Sequence, residues 1–330
     1  MSFTILEYFS PDDIHVYSID EAFIDITQYL SVYNKTPKQM AKMIIDRVMS
    51  ETGICASAGV GTNLYLAKIA MDIFAKHADS HIALLSEQTY QKYLWHHTPI
   101  TDFWNVGSGT ARRLERLGVT DMYDVTQFPE RVLYKEFGVD AEFLIDHAWG
   151  RESCTIADIH NYKGEPKSLS NSQILFEDYD CENAHIIMDE MLDNLVMELV
   201  DNNLYAGGIH LYIGYSKDVI PSTGGSHKLS EVTCSFRRLR EEFDRFYWKK
   251  VRVGYPIRQI GISLERLTYE PCINLSFFDS PEKDEKEQNI TRALIEVKQR
   301  FGKNAVLRGT SFLEKATGRE RNVMVGGHRA

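Results

Sequence analysis

No two cysteines of this chain lie close enough to form a CxxC pair. The five, Cys55, Cys154, Cys181, Cys234 and Cys272, are scattered and odd in number. That argues against a disulfide framework and against a structural zinc site, and makes a reducing cytoplasm the expected compartment. No apolar run approaches the ~18 residues of a membrane span, and no basic stretch followed by an apolar one opens the chain, so a membrane partner is not expected. Zinc-like histidine spacing is missing too: His96 and His97 are adjacent rather than one helical turn apart. His160, His210 and His227 read as capping or packing residues, and no Ser or Cys sits in a nucleophile elbow. What remains is 330 residues at 43% hydrophobic and 25% charged, enough to build two or three globular domains.

The net charge of −10 hides a strong segregation. Residues 177–201 carry nine acids and no Lys or Arg, residues 237–266 carry nine bases and four acids, and residues 291–330 sum to +6. Such patterning suits a protein that turns one face to a polyanion, and equally an ordinary solvated surface.

Residues 14–27 are β-branched and aromatic, which predicts a strand or hairpin. Thr36-Pro37 opens a helix that Gly53 stops. Residues 54–60 read as a short apolar strand, and a second helix starts near Asn63; strand, helix, strand, helix is the grammar of an α/β layer. Residues 96–165 are short helical pieces punctuated by glycines, and 160–173 read as a linker. Beyond it the pattern predicts β-α-β-β-α-β, then a turn, a helix near 283–301 and a Gly- and Arg-rich end.

Four motifs carry chemistry. In Tyr17-Ser18-Ile19-Asp20-Glu21-Ala22-Phe23, two adjacent carboxylates interrupt an apolar stretch. A divalent cation would offset their charge, and a hairpin end facing water would explain them without one. Both can reach one site only at a turn or bulge. Lys68, in Leu66-Ala67-Lys68-Ile69-Ala70 after Gly59-Val60-Gly61, either reaches phosphate oxygens or snorkels along a packed helix. Val106-Gly107-Ser108-Gly109 opening a helix has the form of a helix-hairpin-helix turn, in which free N–H groups meet a phosphate; a plain tight turn would read the same way. Asn274-Leu275-Ser276-Phe277-Phe278 is either a groove-docking peptide or a satellite cluster folding back.

Taken in order, these blocks resemble the Y-family translesion DNA polymerases, most closely their UmuC-like branch; the ending from Arg321-Asn322 to Gly326-Gly327-His328 is similar as well. The resemblance implies an α+β multidomain fold: a palm over 1–95, a small helical thumb over 96–165, a DNA-gripping little finger over 166–270, and a tail over 271–330. It implies error-prone damage bypass by nucleotidyl transfer with two Mg²⁺ ions. Asp20 and Glu21 would hold metal, Lys68 the nucleotide triphosphate, and Gly107, Ser108 and Gly109 a DNA phosphate. Arg237, Arg238, Arg240, Lys249 and Lys250 would follow the backbone of primer-template DNA, and residues 274–278 would dock on a sliding clamp. In the family a further metal-binding aspartate and the fingers precede the Ser-x-Asp-Glu block, which here begins at Ser18. The expectation is therefore a palm lacking its first strand and fingers, with weak or no activity as this chain. A non-catalytic DNA- or clamp-binding module is the alternative, and a palm-type nucleotide cyclase a more distant one.

Overall fold

The computed structural model describes residues 8–217, 219–270 and 281–324. Two compact units divide the chain, Met1–Lys163 and Gly164–Ala330.

In the first unit, β1 (Ile14–Val16) and β2 (Ala22–Ile24) form an antiparallel hairpin with Ile14 opposite Ile24. After a single turn, α1 (Tyr29–Val32), comes α2 (Pro37–Thr52). Thr36 and Gln39 form a reciprocal capping box at its start, and Gly53 closes it in a left-handed conformation (φ 71°) that a Cβ would strain. The hairpin and α2 share a small core around Phe9 and Met40.

Next, β3 (Ala58–Gly61) pairs in parallel with β4 (Ile82–Leu85) across α3 (Leu64–Ile69), which runs on into a π-helical turn at Ala70–Phe74. The strand expected over 54–60 shrinks to Ala58–Gly61. Its glycines are there for close approach: a Cβ on Gly59 would lie 2.0 Å from the Ala67 carbonyl oxygen, and one on Gly61 2.2 Å from the Ala67 nitrogen. Only backbone without side chains lets α3 press this tightly on β3.

Among the described residues six α-helices follow in this unit: α4 (Glu87–Leu94), α5 (Ser108–Arg116), α6 (Met122–Gln127), α7 (Glu130–Phe137), α8 (Asp140–Trp149) and α9 (Ile156–Asn161). One apolar core runs from Tyr65 and Leu66 through Leu94 to Leu114, Leu133 and Ala148. The α/β part and the helical part are thus fused across residue 95.

The second unit follows the β-α-β-β-α-β pattern: β5 (Ser168–Tyr179), α10 (Cys181–Asp201), β6 (Tyr205–Tyr215), β7 (Thr223–Thr233), α11 (Phe236–Lys250) and β8 (Ile257–Thr268). The antiparallel sheet has the order β5-β8-β6-β7. Alternation puts Ile209, Leu211, Ile213, Ile260, Ile262 and Leu264 into the core with Leu195 and Leu199 of α10 and Leu239 and Phe243 of α11. On the other face, Ser170, Ser263, His210 and Ser226 stand in one row across the four strands. Two further helices, α12 (Pro281–Phe301) and α13 (Gly318–Arg321), belong to this unit. Among the described residues no helix is long and apolar enough to cross a membrane.

Candidate functional site

Ser18 builds the tip of the β1–β2 hairpin. The backbone N–H groups of Tyr17 and Ser18 both donate to the Glu21 carbonyl oxygen, at 3.0 and 3.1 Å. The Ser18 hydroxyl donates to Asp20 Oδ1 at 2.7 Å and accepts from the Glu21 N–H at 3.2 Å. This turn is what two neighbouring carboxylates need in order not to diverge as they would on a straight strand. Asp20 is exposed at the tip, whereas Glu21 is half-buried and turned to α3.

There Lys68 meets it. The Lys68 Nζ lies 2.6 Å from Glu21 Oε2 and 3.2 Å from Asp72 Oδ2, with only 10% of the lysine side chain exposed. Asp72 offers its other oxygen to Lys76 at 2.6 Å. The Tyr17 ring stands 5.3 Å from the Lys68 ammonium and is held edge-on by Phe23 and Trp104, whose indole N–H donates to the Tyr17 hydroxyl at 3.0 Å. Burial acts to lower the Lys68 pKa, but hydrogen bonds and charge from Glu21 and Asp72 outweigh it and leave the lysine above its ordinary value, hence charged. An ammonium clasped by two carboxylates is a cation site in its own right. Carboxylate oxygens are the donor type a hard divalent ion takes, and Asp20 lies one residue away in the chain, although Asp20, Glu21 and Asp72 do not converge on a single point.

Of the residues expected at this site, the structure brings Glu21 and Lys68 together, while Asp20 faces outward and accepts from Ser18. Asp72 carries no sequence signal of its own, since an Asp four residues after a Lys on a helix reads as a surface pair. His147 is a second buried group without a sequence signal: it stacks on Tyr65 at 3.9 Å, and burial holds its pKa below the usual value, which favours a neutral packing ring. Asp13, close to the hairpin, is held by the Tyr29 hydroxyl at 2.7 Å and the Gln28 amide at 2.6 Å.

The glycines of the 106–109 turn differ from Gly59 and Gly61. A Cβ at Gly107 or Gly109 would meet nothing within 4 Å, and Gly107 has ordinary extended dihedrals (φ −79°, ψ 172°). Neither packing nor backbone strain explains them. What they provide is open space around the first turn of α5, whose N-cap, Gly107, has no side chain to occupy its free N–H groups. Ser108 is the first residue of that helix.

The basic helix α11 pairs its first arginines within its own unit. Arg237, Arg238 and Arg240 do not form an open row. Arg240 forks onto Asp189 of α10 at 3.2 and 2.7 Å, and Arg238 pairs with Glu231 at 3.3 Å and Asp284 at 2.9 Å. Arg237 reaches Glu241 at 3.4 Å, and its backbone N–H donates to Glu287, which also accepts from the Ser235 N-cap hydroxyl. The guanidinium fork matches carboxylates well, so nearby acids of the same unit capture it. Lys249 and Lys250, with Arg252, instead line a cleft of about 520 Å³ shared with His210, Tyr212 and Gly224.

His185, Asp189 and Asp244 are the metal-like cluster of the described residues. Both oxygens of Asp189 accept from Arg240, and His185 contacts Asp244 at 2.7 Å, so this cluster is a polar network that ties α10 to α11. Asn274, Leu275, Ser276, Phe277 and Phe278 lie outside the described residues.

The sequence matches known proteins over most of its length. The sequence profile of the impB/mucB/samB family matches residues 1–72, and that of its C-terminal domain residues 166–277. A protein named DNA repair protein homolog YobH, from Bacillus subtilis (strain 168), is 31% identical over 199 residues, 58% of this chain and 88% of its own length. DNA polymerase IV 2 of the same organism is 29% identical over 332 residues, 98% of this chain and 77% of its own length. Among solved structures, the Y-family DNA polymerase chimera Dbh-Dpo4(243-245)-Dbh superposes with a TM-score of 0.54 at 18% identity, over 82% of this chain and 74% of that one.

Proposed function

Because the chain belongs to the impB/mucB/samB family of Y-family DNA polymerases, we propose that it holds primer-template DNA and carries part of the site for template-directed nucleotidyl transfer in damage bypass. The observation that supports this best is the Glu21–Lys68–Asp72 arrangement at the hairpin tip, a built cation site next to an exposed carboxylate. Polymerases of this family depend on divalent metal, which when bound stabilises the attacking and leaving oxygens of phosphoryl transfer. Asp20 and Glu21 would hold Mg²⁺, and Lys68 would offset charge on a deoxynucleoside triphosphate. The N–H groups after Gly107, at Ser108 and Gly109, would receive one DNA phosphate, positioning the duplex without reading its sequence. Lys249, Lys250 and Arg252 would follow the backbone, and a clamp would take residues 274–278.

Two divalent ions close together need several anionic ligands to offset their mutual repulsion, and Asp20 and Glu21 supply two. We therefore expect the 330-residue chain to bind DNA yet extend primers weakly or not at all. Primer extension with Mg²⁺ and all four deoxynucleotides tests this, with an Asp20→Ala control. Robust extension that the control abolishes would show the carboxylate set to be sufficient; salt-insensitive DNA association would remove the reading of a backbone-tracking protein.

A further inference from the structure

Lys68 does more in this geometry than wait for a triphosphate. Its ammonium holds Oε2, one of the two Glu21 oxygens open to a metal ion, and it has a second carboxylate, Asp72, already within hydrogen-bond reach. Asp72 is itself anchored, since its remaining oxygen belongs to Lys76. Gly59 and Gly61 let β3 lie directly against α3, the helix that carries Lys68. The ammonium is also confined by the Tyr17 ring, so two carboxylates define its choices.

We propose that Lys68 and divalent cation compete for Glu21, and that Asp72 is the positioning residue that accepts the ammonium when metal claims Glu21. The inference rests on the reading of Glu21 as a metal ligand and adds a mechanism of exchange. A cation arriving beside Asp20 repels the ammonium while it remains on Glu21. Rotation at the end of the lysine side chain shifts Nζ wholly to Asp72, and the lysine stays charged and close to the metal-bound face. No bond other than hydrogen bonds and ion pairs is made or broken. Without Asp72 the ammonium would have Glu21 as its sole carboxylate and would hold it more firmly; without the ammonium Glu21 would be open to metal.

The two substitutions thus act on metal affinity in opposite directions, which a merely structural role would not produce. The experiment is Mn²⁺ binding to the full chain, followed by the electron spin resonance signal of the free ion, in the absence of DNA and nucleotide. Lys68→Met should tighten binding on the order of tenfold, as expected for removing one charge-assisted hydrogen bond. Asp72→Asn should weaken it by a similar factor, and Glu21→Gln should abolish it. If Glu21→Gln abolishes binding while Lys68→Met leaves it unchanged or weaker, the competition is overturned and the metal-ligand reading survives. If Glu21→Gln has no effect, both fall. Should Lys68→Met fail to fold, Asp72→Asn decides, because unchanged or tighter Mn²⁺ binding in that variant also overturns the exchange.

Discussion

At its N-terminal end helix α11 gives Arg237, Arg238 and Arg240 to carboxylates of its own unit, whereas at its C-terminal end Lys249, Lys250 and the following Arg252 line a cleft. The same sign of charge, on the same helix, has two fates. The difference lies in what folds back. Asp284 and Glu287, at the start of α12, settle on the first turn of α11 and its N-cap Ser235. Acidic α10 shows the mirror image: Asp193 takes Arg308 at 2.6 Å, and Glu190 takes the backbone N–H groups of Thr317 and Gly318, both at 2.9 Å. A block of like charge in a sequence therefore identifies a surface for a foreign polyanion only where the rest of the chain leaves it uncovered.

The sharpest test of this contrast is Arg240→Ala. It strips a bidentate partner from Asp189, whose side chain is 6% exposed, and should destabilise the second unit by about 3 kcal/mol in urea denaturation. Arg237→Ala, at a side chain 52% exposed, should change stability by at most about 0.5 kcal/mol. Equal costs at both positions would break the distinction between buried and surface pairing. Next in size, changing Lys249, Lys250 and Arg252 together to alanine should weaken primer-template binding about tenfold at low salt. The slope of log affinity against log salt should also become shallower, by roughly 0.9 for each DNA phosphate that is no longer neutralised. The Arg237, Arg238 and Arg240 triple variant should change DNA affinity far less, as read by fluorescence anisotropy. The smallest effect concerns Cys234, which sits beneath α12, with the Gln288 amide 3.0 Å from its sulfur. Burial, then the charges of Asp284 and Glu287, push its thiol up to about 11. The thiolate is the reactive form, so Cys234 should label slowly at pH 8 and faster as pH rises towards 11, while exposed Cys55 labels readily. Arg238→Ala should speed Cys234 labelling modestly by loosening α12, and an unchanged rate would show that apolar packing alone holds that helix.

Much of this was legible in the residues. The Thr36 cap, the Gly53 stop and the alternation of β6 and β8 announce their elements locally, because capping and two-residue periodicity need only neighbours. The hairpin site was half legible. Asp20 and Glu21 signal a cation by their cost in an apolar stretch, but the partner of Glu21 lies 47 residues away on α3, and Asp72 beyond it adds a second acceptor that no local pattern marks. The π-helical turn at Ala70–Phe74 had no local signal either. The pairing of the α11 arginines was not legible for the same reason: their acids come largely from α10, β7 and α12, and composition carries no record of which distant segment returns.

Glu190 has a bearing on how the protein is made. Its carboxylate is nearly buried and receives its hydrogen bonds from Thr317 and Gly318, 127 and 128 residues later in the chain. At ordinary translation speeds of about 5–20 residues per second, that donor pair is synthesised roughly 6–25 s after α10 has been. During this interval the sheet and its two helices can assemble around their apolar core, yet Glu190 must stay hydrated and the face that α13 will cover must stay open. The second unit thus closes late in its own synthesis, with the last turn to arrive seating on a carboxylate laid down near the beginning.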